Sequence, residues 1–316
     1  MTIANLWVVL EPAENGFTST SLELLSHART IASSVAGVTW GTGNTQATLA
    51  GEYGATTLFS VDVPAQALPG AAVAAAIAGG ELPDLVLIPT SYDGRDIAGR
   101  LSARLRRPVL TNATNLSADG HTEHQIFGGT RLVDAHFTTP GVGIVVARAK
   151  SFVASSSGGA PATVTPLAIP DLGRRGESSI TNRHVEEQTG PKLEEASVVV
   201  AGGRGIGEVT GFEIIEELAE LLHGAAGASR AIVDAGWVPY SLQVGQTGKT
   251  VKPDVYIACG ISGATQHMVG MKGSKVIIAI NKDADAPIFQ MADLGIVGDV
   301  KTVLPALAAA LRARSK

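Results

Sequence analysis

The sequence predicts an α/β protein of two domains, and the second domain is expected to contain a doubly wound parallel sheet. Three observations carry this prediction. The 316 residues correspond to two domains of roughly 150 residues each. Short Val/Ile/Leu runs, each bounded by Gly, Pro, Asn or Asp, recur along the chain. Segments with helical spacing separate many of these runs, and this alternation is typical of parallel strands covered by helices on both faces.

In the first half of the chain, strands are predicted where short apolar runs end at turn residues. Helices are predicted where Leu, Ile and Ala recur at intervals of three or four residues, and Pro69 suits the first turn of one of them. No helical pattern interrupts residues 125–147, so part of the sheet is expected to be antiparallel there. The predicted strands are 6–10, 57–61, 85–88, 125–127, 132–137 and 143–146, and the predicted helices are 21–34, 69–78 and 96–106.

A polar segment rich in turn residues separates the two halves. Residues 155–190 contain a Ser/Gly-rich run and short Gly/Pro-containing stretches, which are typical of loops. We therefore predict a first domain over residues 1–187 and a second over residues 188–316. In the second domain the predicted strands are 197–201, 231–234, 255–259, 275–280 and 295–297, and the predicted helices cover 214–222 and 302–314.

The composition excludes several classes of protein. Lys and Arg number 24 against 29 Asp and Glu, and this net charge of −5 argues against a nucleic-acid-binding protein, which should carry a basic excess. The single cysteine excludes a disulfide scaffold and a multi-cysteine zinc ribbon. The N-terminus lacks the basic region of a signal peptide, and no apolar run reaches about 18 residues. We therefore predict a cytoplasmic protein with no membrane-inserted segment.

The proportion of charged residues is unusually low. It is 17%, whereas an average domain contains about 25%. Part of the surface is therefore expected to be covered by a partner subunit.

Small and polar residues follow the predicted strands of the second domain. In an open parallel sheet, ligands bind beyond the carboxyl ends of the strands. Glycine loops let backbone N–H groups approach a ligand, and a following helix adds a partial positive charge. This pattern favours a phosphate-bearing nucleotide or dinucleotide, although simple glycine turns would produce part of it. The segments concerned are residues 202–207, 260–267, 281–283 and 298–299.

Two glycine loops match nucleotide-binding motifs only in part. The loop that begins at Gly203 has Glu208 where the third glycine of the dinucleotide fingerprint should fall. Arg204 lies between glycines, where it could meet a phosphate or be simply solvated. Residues 245–250 read Gly-Gln-Thr-Gly-Lys-Thr, but Gln243 occupies the position of the first P-loop glycine. The sequence that follows cannot begin the required helix, so we reject hydrolysis of a nucleoside triphosphate.

Candidates for catalysis and metal binding are sparse. The histidines of His121-Thr-Glu-His124 are too close for the helical zinc motif, so we predict a solvated turn and no metal site. Cys259 ends an apolar strand and is expected to be a packed thiol. Residues 260–263 are one residue too short for a nucleophile elbow.

Several longer segments match one protein family in order and spacing. They include Val-Ala-Gly-Gly-Arg-Gly at 200–205, Gln-Val-Gly-Gln-Thr-Gly-Lys at 243–249 and Pro-Asp-Val-Tyr-Ile-Ala-Cys-Gly-Ile-Ser-Gly at 253–263. Because of these segments, residues 195–316 closely resemble the FAD-binding domain of the electron transfer flavoprotein α subunit. The first half matches more loosely, and Thr265 departs from the apolar residue that is usual in the family. Further matching segments are 10–11, 83–89, 91–96, 227–231, 233–236, 266–267, 270–272, 279–283 and 286–299.

The resemblance implies a fold, a cofactor and a role. The second domain would be a Rossmann-like FAD-binding domain, and the first domain would be the platform for an electron transfer flavoprotein β subunit in a heterodimer. The protein would be an electron carrier rather than an enzyme with its own substrate, because the redox chemistry belongs to the flavin. Electrons would come from acyl-CoA and other flavin dehydrogenases, as in fatty acid β-oxidation. They would pass to a membrane quinone oxidoreductase.

The resemblance also assigns three residues that tune the flavin. Arg230 would place a fixed positive charge beside the isoalloxazine ring. Thr247 would offer its hydroxyl to flavin N5. His267 would donate a hydrogen bond to flavin O2, where negative charge collects on reduction.

The remaining expected residues hold the cofactor along its length. Arg204 and Ser229 would approach the FAD phosphates. Asn281 and Asp299 would bind the adenosine end, where an acidic group at a strand terminus commonly accepts from ribose hydroxyls. The other expected contacts are Val244, Gly245, Gln246, Ser262, Gly263, Ala264, Thr265 and Gln266.

Two alternatives belong to other functional classes. Sheets of this kind also bind NAD, so the first alternative is an NAD-dependent oxidoreductase, which would turn over a small molecule without any electron-accepting protein. The second alternative is a non-catalytic regulator, which would bind ATP or AMP through the first domain alone.

Overall fold

The computed structural model describes residues 3–40, 44–176, 178–182 and 190–314. The chain divides into two compact units, Met1–His184 and Val185–Lys316. The predicted boundary after residue 187 lies outside the described residues and stays a prediction. Each unit has its own sheet, with an apolar core on either side of it. The predicted α/β class is confirmed in both units.

Parallel strands dominate the sheet of the first unit. The strands are β1 (Asn5–Val9), β2 (Pro12–Ala13), β3 (Gly16–Phe17), β4 (Ser34–Trp40), β5 (Thr57–Val61), β6 (Leu85–Pro89), β7 (Val109–Leu116), β8 (Thr122–Ile126), β9 (Arg131–Ala135), β10 (Gly143–Ala147) and β11 (Thr163–Leu167). Nine of these described strands form one sheet in the order β11-β5-β4-β1-β6-β10-β7-β8-β9. Strands β8 and β9 add to one edge as an antiparallel hairpin, and β2–β3 is a separate hairpin.

Three of the four described helices of the first unit begin where the sequence supplies a cap or a proline. They are α1 (Ser19–Ile31), α2 (Asn44–Glu52), α3 (Pro69–Gly79) and α4 (Tyr92–Leu105). The Thr18 side chain accepts a hydrogen bond from Ser21 N at the start of α1, and Ser91 caps α4 in the same way. Pro69 is the first residue of α3, as predicted.

The antiparallel prediction is correct for one part of residues 125–147 and wrong for another. Strands β8 and β9 are antiparallel, whereas β10 runs parallel to both β6 and β7. All five residues of β10 are buried, which is typical of a central parallel strand. The predicted turn at 121–124 is also wrong, because β8 begins at Thr122.

Helix α4 contains two glycines with opposite surroundings. A Cβ atom at Gly94 would lie 2.0 Å from the carbonyl oxygen of Pro89, whereas one at Gly99 would meet no atom within 4 Å. Gly99→Ala is expected to stabilise the protein by about 0.5–1 kcal/mol, because alanine loses less backbone entropy in a helix. Gly94→Ala is expected to destabilise it by about 1–3 kcal/mol through overpacking. Denaturant unfolding of both variants measures this difference, and equal effects would contradict the packing of α4 against β6.

The second unit contains a fully parallel sheet. Its described strands are β12 (Val198–Gly202), β13 (Ala225–Ala228), β14 (Val255–Cys259), β15 (Val276–Asn281) and β16 (Leu294–Val297), in the order β13-β12-β14-β15-β16. The helices are α5 (Glu213–Leu221), α6 (Arg230–Val233), α7 (Thr265–Met271) and α8 (Val300–Arg314). Residues of α5, α6 and α8 pack in one core and residues of α7 in the other, so the predicted doubly wound architecture is confirmed.

One predicted strand of this unit is wrong. Residues 231–234 were expected to form a strand, but Arg230–Val233 is helix α6. The strand is Ala225–Ala228, which contains only alanine and glycine and therefore lacks the Val/Ile signal of a buried strand. That signal comes instead from Ile232, which is fully buried in the core on the α5 and α8 side.

Candidate functional site

The candidate site lies at the carboxyl ends of β12 and β14. The strand order reverses between these two neighbours, and open α/β sheets bind ligands at such a switch point. The loops that leave the two strands are hydrogen-bonded to each other. Gly203 N donates to Cys259 O at 2.9 Å, and Gly205 N donates to Gly260 O at 3.0 Å.

Glycine is required where these loops touch. A Cβ atom at Gly205 would lie 2.6 Å from the Cα atom of Gly260, and Gly260 itself has a φ of +63°. The close contact excludes a larger residue at either position at unchanged geometry, and the left-handed φ of Gly260 further favours glycine. The close approach brings the predicted segments 202–207 and 260–267 together at one edge of the sheet.

A second loop, residues 243–249, packs against helix α7. Gln246 N donates to Gln266 O at 2.7 Å, and a Cβ atom at Gly270 would lie 2.4 Å from Gly245 N. The loop closes on itself, because Lys249 N donates to Gln243 O at 2.7 Å. Residues 250–254 form no helix, which agrees with the rejection of a P-loop.

His267 is a buried polar residue of this arrangement. It lies on α7 and is 6% exposed. Its Nε2 atom is 3.0 Å from the hydroxyl of Tyr256, which is on β14. Its Nδ1 atom is buried and has no hydrogen-bond partner among the described residues. Since buried polar atoms are normally satisfied, this nitrogen suits a ligand.

Burial keeps both members of this pair neutral. It lowers the pKa of His267 to about 4, and the backbone of Val244 opposes the shift more weakly. Burial, with a smaller contribution from Cys259, raises the pKa of Tyr256 well above its ordinary value. The ring of His267 therefore carries one proton at neutral pH, and the Tyr256 phenol keeps its own.

Hydrogen-bond counting indicates which nitrogen of His267 carries the proton. If the proton is on Nδ1, Tyr256 donates to Nε2 and only the Nδ1–H group lacks a partner. If the proton is on Nε2, both Nδ1 and the tyrosine O–H lack one. The first arrangement leaves fewer buried groups unsatisfied and presents a donor, which fits an acceptor such as a flavin carbonyl.

Thr247 and Gln243 form a second polar pair in the loop. Gln243 is 2% exposed, and its Nε2 atom donates to Thr247 Oγ1 at 3.0 Å. Thr247 is exposed, and its carbonyl accepts from the hydroxyl of Tyr240. The Thr247 hydroxyl that accepts from Gln243 keeps its own proton for another acceptor.

The two predicted arginines are exposed at the same edge of the sheet. Arg204 belongs to the loop after β12. Arg230 begins α6, and its Nε atom pairs with Asp234 Oδ2 at 3.0 Å while its side chain stays 65% exposed. Ser229 N donates to Gly202 O at 2.9 Å, and the Ser229 side chain makes no capping bond to α6. The Ser229 hydroxyl and the arginine side chains can therefore approach an anion.

Asn281 and Asp299 follow β15 and β16. Asn281 Nδ2 donates to Ile261 O at 3.0 Å, and its Oδ1 accepts from the backbone of Asp283. Asp299 is exposed, and its Oδ1 accepts from Lys301 N at 2.9 Å. These bonds hold the loops and leave each carboxamide or carboxylate with further hydrogen-bonding capacity.

The remaining predicted contacts lie in the loop 243–249, in the loop after β14 and in the first turn of α7. Exposed positions can meet a ligand with their side chains, whereas buried positions contribute backbone and shape. Exposed are Gln246, Ser262, Ala264, Thr265 and Gln266, and buried are Val244, Gly245 and Gly263.

Tyr256 and Gln243 are supporting residues that the sequence did not predict. A polar aromatic residue inside the apolar run 255–259 was the available signal for Tyr256. Cys259 is fully buried, and burial raises the pKa of its thiol to about 12, so the predicted packed thiol is confirmed. Among the described helices, none combines the length and the apolar character of a membrane span.

Comparisons with known proteins identify the same family in both halves of the chain. Residues 6–172 match the electron transfer flavoprotein domain, and residues 192–272 match the electron transfer flavoprotein FAD-binding domain. The α subunit of an electron transfer flavoprotein from Mycobacterium leprae (strain TN) is 38% identical over 321 residues, covering 99% of each chain.

Two further α subunits are similar. That of Syntrophomonas wolfei subsp. wolfei (strain DSM 2245B / Goettingen) is 36% identical over 319 residues, covering 98% of this chain and 100% of its own. That of Paracoccus denitrificans is 44% identical over 223 residues, covering 70% and 71%. FAD is therefore the cofactor of the second domain, and the protein carries electrons rather than converting a substrate of its own. The chain belongs to the family of electron transfer flavoprotein α subunits.

Proposed function

We propose that this chain forms a heterodimer with an electron transfer flavoprotein β subunit in the cytoplasm. The heterodimer accepts electrons from acyl-CoA and other flavin dehydrogenases in fatty acid β-oxidation, and it passes them to a membrane quinone oxidoreductase. The observation that carries the proposal is the buried Tyr256–His267 pair beside the switch point, in a chain that matches both domains of the family. The NAD-dependent alternative has no such specific observation in its favour.

FAD supplies the electron-carrying chemistry when bound, and the protein binds it, orients it and adjusts its potential. Arg204 and Ser229 would hold the phosphates through the N–H and O–H donors of their side chains. Asn281 and Asp299 hold the adenosine end. The remaining loop residues named above position the cofactor along the carboxyl edge of the sheet.

The tuning residues act on the charge that the cofactor gains on reduction. His267, neutral and with its proton on Nδ1, donates a hydrogen bond without adding a charge that titrates near neutral pH. Arg230 adds a positive charge near the ring, and Thr247 donates its hydroxyl proton. The residue that holds Thr247 in place is Gln243.

The β8–β9 hairpin is the surface that we assign to the β subunit. Strand β9 is the last strand of the sheet order, and an apolar edge strand left in water would be open to aggregation. Four large apolar side chains near the hairpin tip are exposed, and such a patch is typical of a protein interface. They are Ile126 (38% exposed), Phe127 (77%), Leu132 (64%) and Val133 (40%).

Co-expression of the full chain with its β subunit tests the proposal. We expect a 1:1 complex that releases one equivalent of FAD from this subunit on denaturation, and whose flavin is reduced by an acyl-CoA dehydrogenase with its substrate. Phe127→Asp is expected to reduce the recovered β subunit at least about tenfold, because an apolar anchor can contribute 2 kcal/mol or more. The matched control is Val164→Asp on β11, the strand at the opposite edge of the sheet.

Three outcomes would contradict parts of the proposal. A complex without flavin would contradict the role as a carrier. Turnover of a small substrate with NAD, in the absence of an electron-accepting protein, would support the alternative. Equal loss of the β subunit in Phe127→Asp and Val164→Asp would remove the hairpin from the interface.

A further inference from the structure

Two histidines and one aspartate converge in the first unit, outside the FAD-binding domain. His121 immediately precedes β8, Asp134 lies on β9, and His136 immediately follows β9. One potential ligand atom from each residue lies within 4.8 Å of the other two. The rings of His121 and His136 stack with centroids 4.5 Å apart, and His121 Nδ1 donates to Asp134 Oδ1 at 2.7 Å.

The backbone pairing of the hairpin produces this convergence. Strands β8 and β9 are antiparallel, with Thr122 opposite Ala135. The next residues along this register are His121 and His136, which therefore face each other. Side chains alternate along a strand, so Asp134 lies on the same face as His136, two residues away. A residue pair 15 positions apart in the sequence is thus brought together by the register of one hairpin.

We propose that His121, Asp134 and His136 bind a divalent transition-metal ion of the Zn²⁺ type. Two imidazole nitrogens and one carboxylate oxygen are ligands that Zn²⁺ accepts, and three protein ligands leave one position of a tetrahedron for water. Imidazole also suits Cu²⁺ and Ni²⁺, whereas Mg²⁺ and Ca²⁺ prefer sites made of oxygen atoms. The ligand set therefore favours late first-row transition-metal ions over Mg²⁺ and Ca²⁺.

The geometry can close around an ion with small movements. Bonds of about 2.0–2.1 Å in a tetrahedron place ligand atoms about 3.3 Å apart. The side chains of His121 and Asp134 are 40% and 59% exposed, so they can rotate to reach this spacing. The ion would take the place of the hydrogen between His121 Nδ1 and Asp134 Oδ1, and a ring that binds the ion through Nδ1 carries its proton on Nε2 instead.

His124 does not belong to this site, although it is the partner of His121 in the sequence motif. Its Nδ1 atom is 2.9 Å from Thr111 O, and its Nε2 atom is 2.8 Å from Thr122 Oγ1. Both ring nitrogens are therefore engaged within the protein. The helical zinc motif was correctly rejected, but His121 finds its partners on the neighbouring strand.

Such an ion would fasten β8 to β9 at the edge of the sheet. A ligand that binds only the folded state stabilises it in proportion to the logarithm of its concentration over its Kd. The melting temperature of the wild-type protein is therefore expected to rise as Zn²⁺ is added. This stabilisation is a second readout that does not depend on FAD or on electron transfer.

Isothermal titration of Zn²⁺ into the full-length protein, purified without a histidine tag and freed of metal with EDTA, tests the proposal. We expect one equivalent to bind. His121→Asn and His136→Asn are each expected to weaken binding at least about 100-fold, because loss of a ligand should cost at least as much as loss of an outer-shell partner. The control His124→Gln should bind Zn²⁺ as the wild type does. Cu²⁺ bound to the wild type should show nitrogen hyperfine coupling in its electron paramagnetic resonance spectrum.

Circular dichroism in EDTA checks that each variant is folded without metal. If one of the two asparagine variants is unfolded, the other is used in its place. Absence of Zn²⁺ binding in the folded wild type would overturn the proposal. So would unchanged binding in the folded His121→Asn/His136→Asn double variant, or an equal loss of binding in His124→Gln.

Discussion

Replacing His267 with alanine is expected to lower the midpoint potential of the bound FAD by about 60–130 mV. Hydrogen bonds to charged groups contribute about 1.5–3 kcal/mol, which converts to this range for a one-electron step. The donor in question is the Nδ1–H group, which is buried and lacks a partner among the described residues. Its removal leaves the negative charge of the reduced cofactor with one donor fewer, so the reduced form loses more stabilisation than the oxidised form.

The pH dependence follows from the neutral state of the ring. Burial lowers the pKa of His267 to about 4, so the ring does not gain a second proton between pH 8 and about pH 5. The difference in potential between wild type and His267→Ala should therefore stay constant over that range. A difference that grew on acidification through pH 6.5 would mean that the histidine acts as a cation.

Tyr256→Phe separates a positioning role from direct contact with the cofactor. The phenol acts on the ring of His267 by donating to Nε2, so its removal should lower the potential by a smaller amount. In the His267→Ala background the same substitution should have no further effect, because the two residues act through one group. Redox titration of the wild type, the two single variants and the double variant measures this coupling. The control is His223→Asn, a substitution at an exposed residue. Additive shifts, or an unchanged potential in His267→Ala, would contradict the assignment.

The extent to which the fold could be predicted differs between strands for a physical reason. β14 was predicted with its observed bounds, because a strand buried on both faces is a continuous apolar run. β13 was missed because Ala-Ala-Gly-Ala carries little apolar volume, and β7 was missed because polar residues make up half of its sequence, Val-Leu-Thr-Asn-Ala-Thr-Asn-Leu. Both strands are defined by pairing with their neighbours, which a local pattern does not reveal.

The candidate site could likewise be predicted only in part from the sequence. The glycine loops were visible, because a backbone that approaches another backbone requires a residue without a side chain. The pairing of Tyr256 with His267 depends on how α7 packs against β14, and the pairing of His121 with His136 depends on a strand register. Neither is expressed as a fixed spacing in the sequence, so the residues could be identified but not their partners.

Gly205→Ala is expected to weaken FAD binding about 100-fold. The added Cβ atom would lie 2.6 Å from Gly260 Cα, whereas ordinary contact begins at 3.4 Å, so the two loops must separate by at least 3.4 − 2.6 = 0.8 Å. That movement breaks the bond from Gly205 N to Gly260 O and displaces both loops at the switch point. Misplacement of binding groups by about 1 Å can cost a factor of about 100, and overpacking of this kind costs about 1–3 kcal/mol of stability.

The effect of Gly205→Ala is steric rather than conformational, and this makes a matched control available. Neither Gly205 nor Gly273 has a φ in the left-handed region, so alanine can adopt the backbone conformation at both. At Gly273, however, the new Cβ atom meets only the flexible side chain of Lys252, at 3.3 Å. Fluorescence titration of FAD into the flavin-free proteins should therefore show wild-type affinity for Gly273→Ala and the loss for Gly205→Ala, with circular dichroism confirming that both are folded. Wild-type affinity in Gly205→Ala would mean that the contact between the loops after β12 and β14 does not position the cofactor.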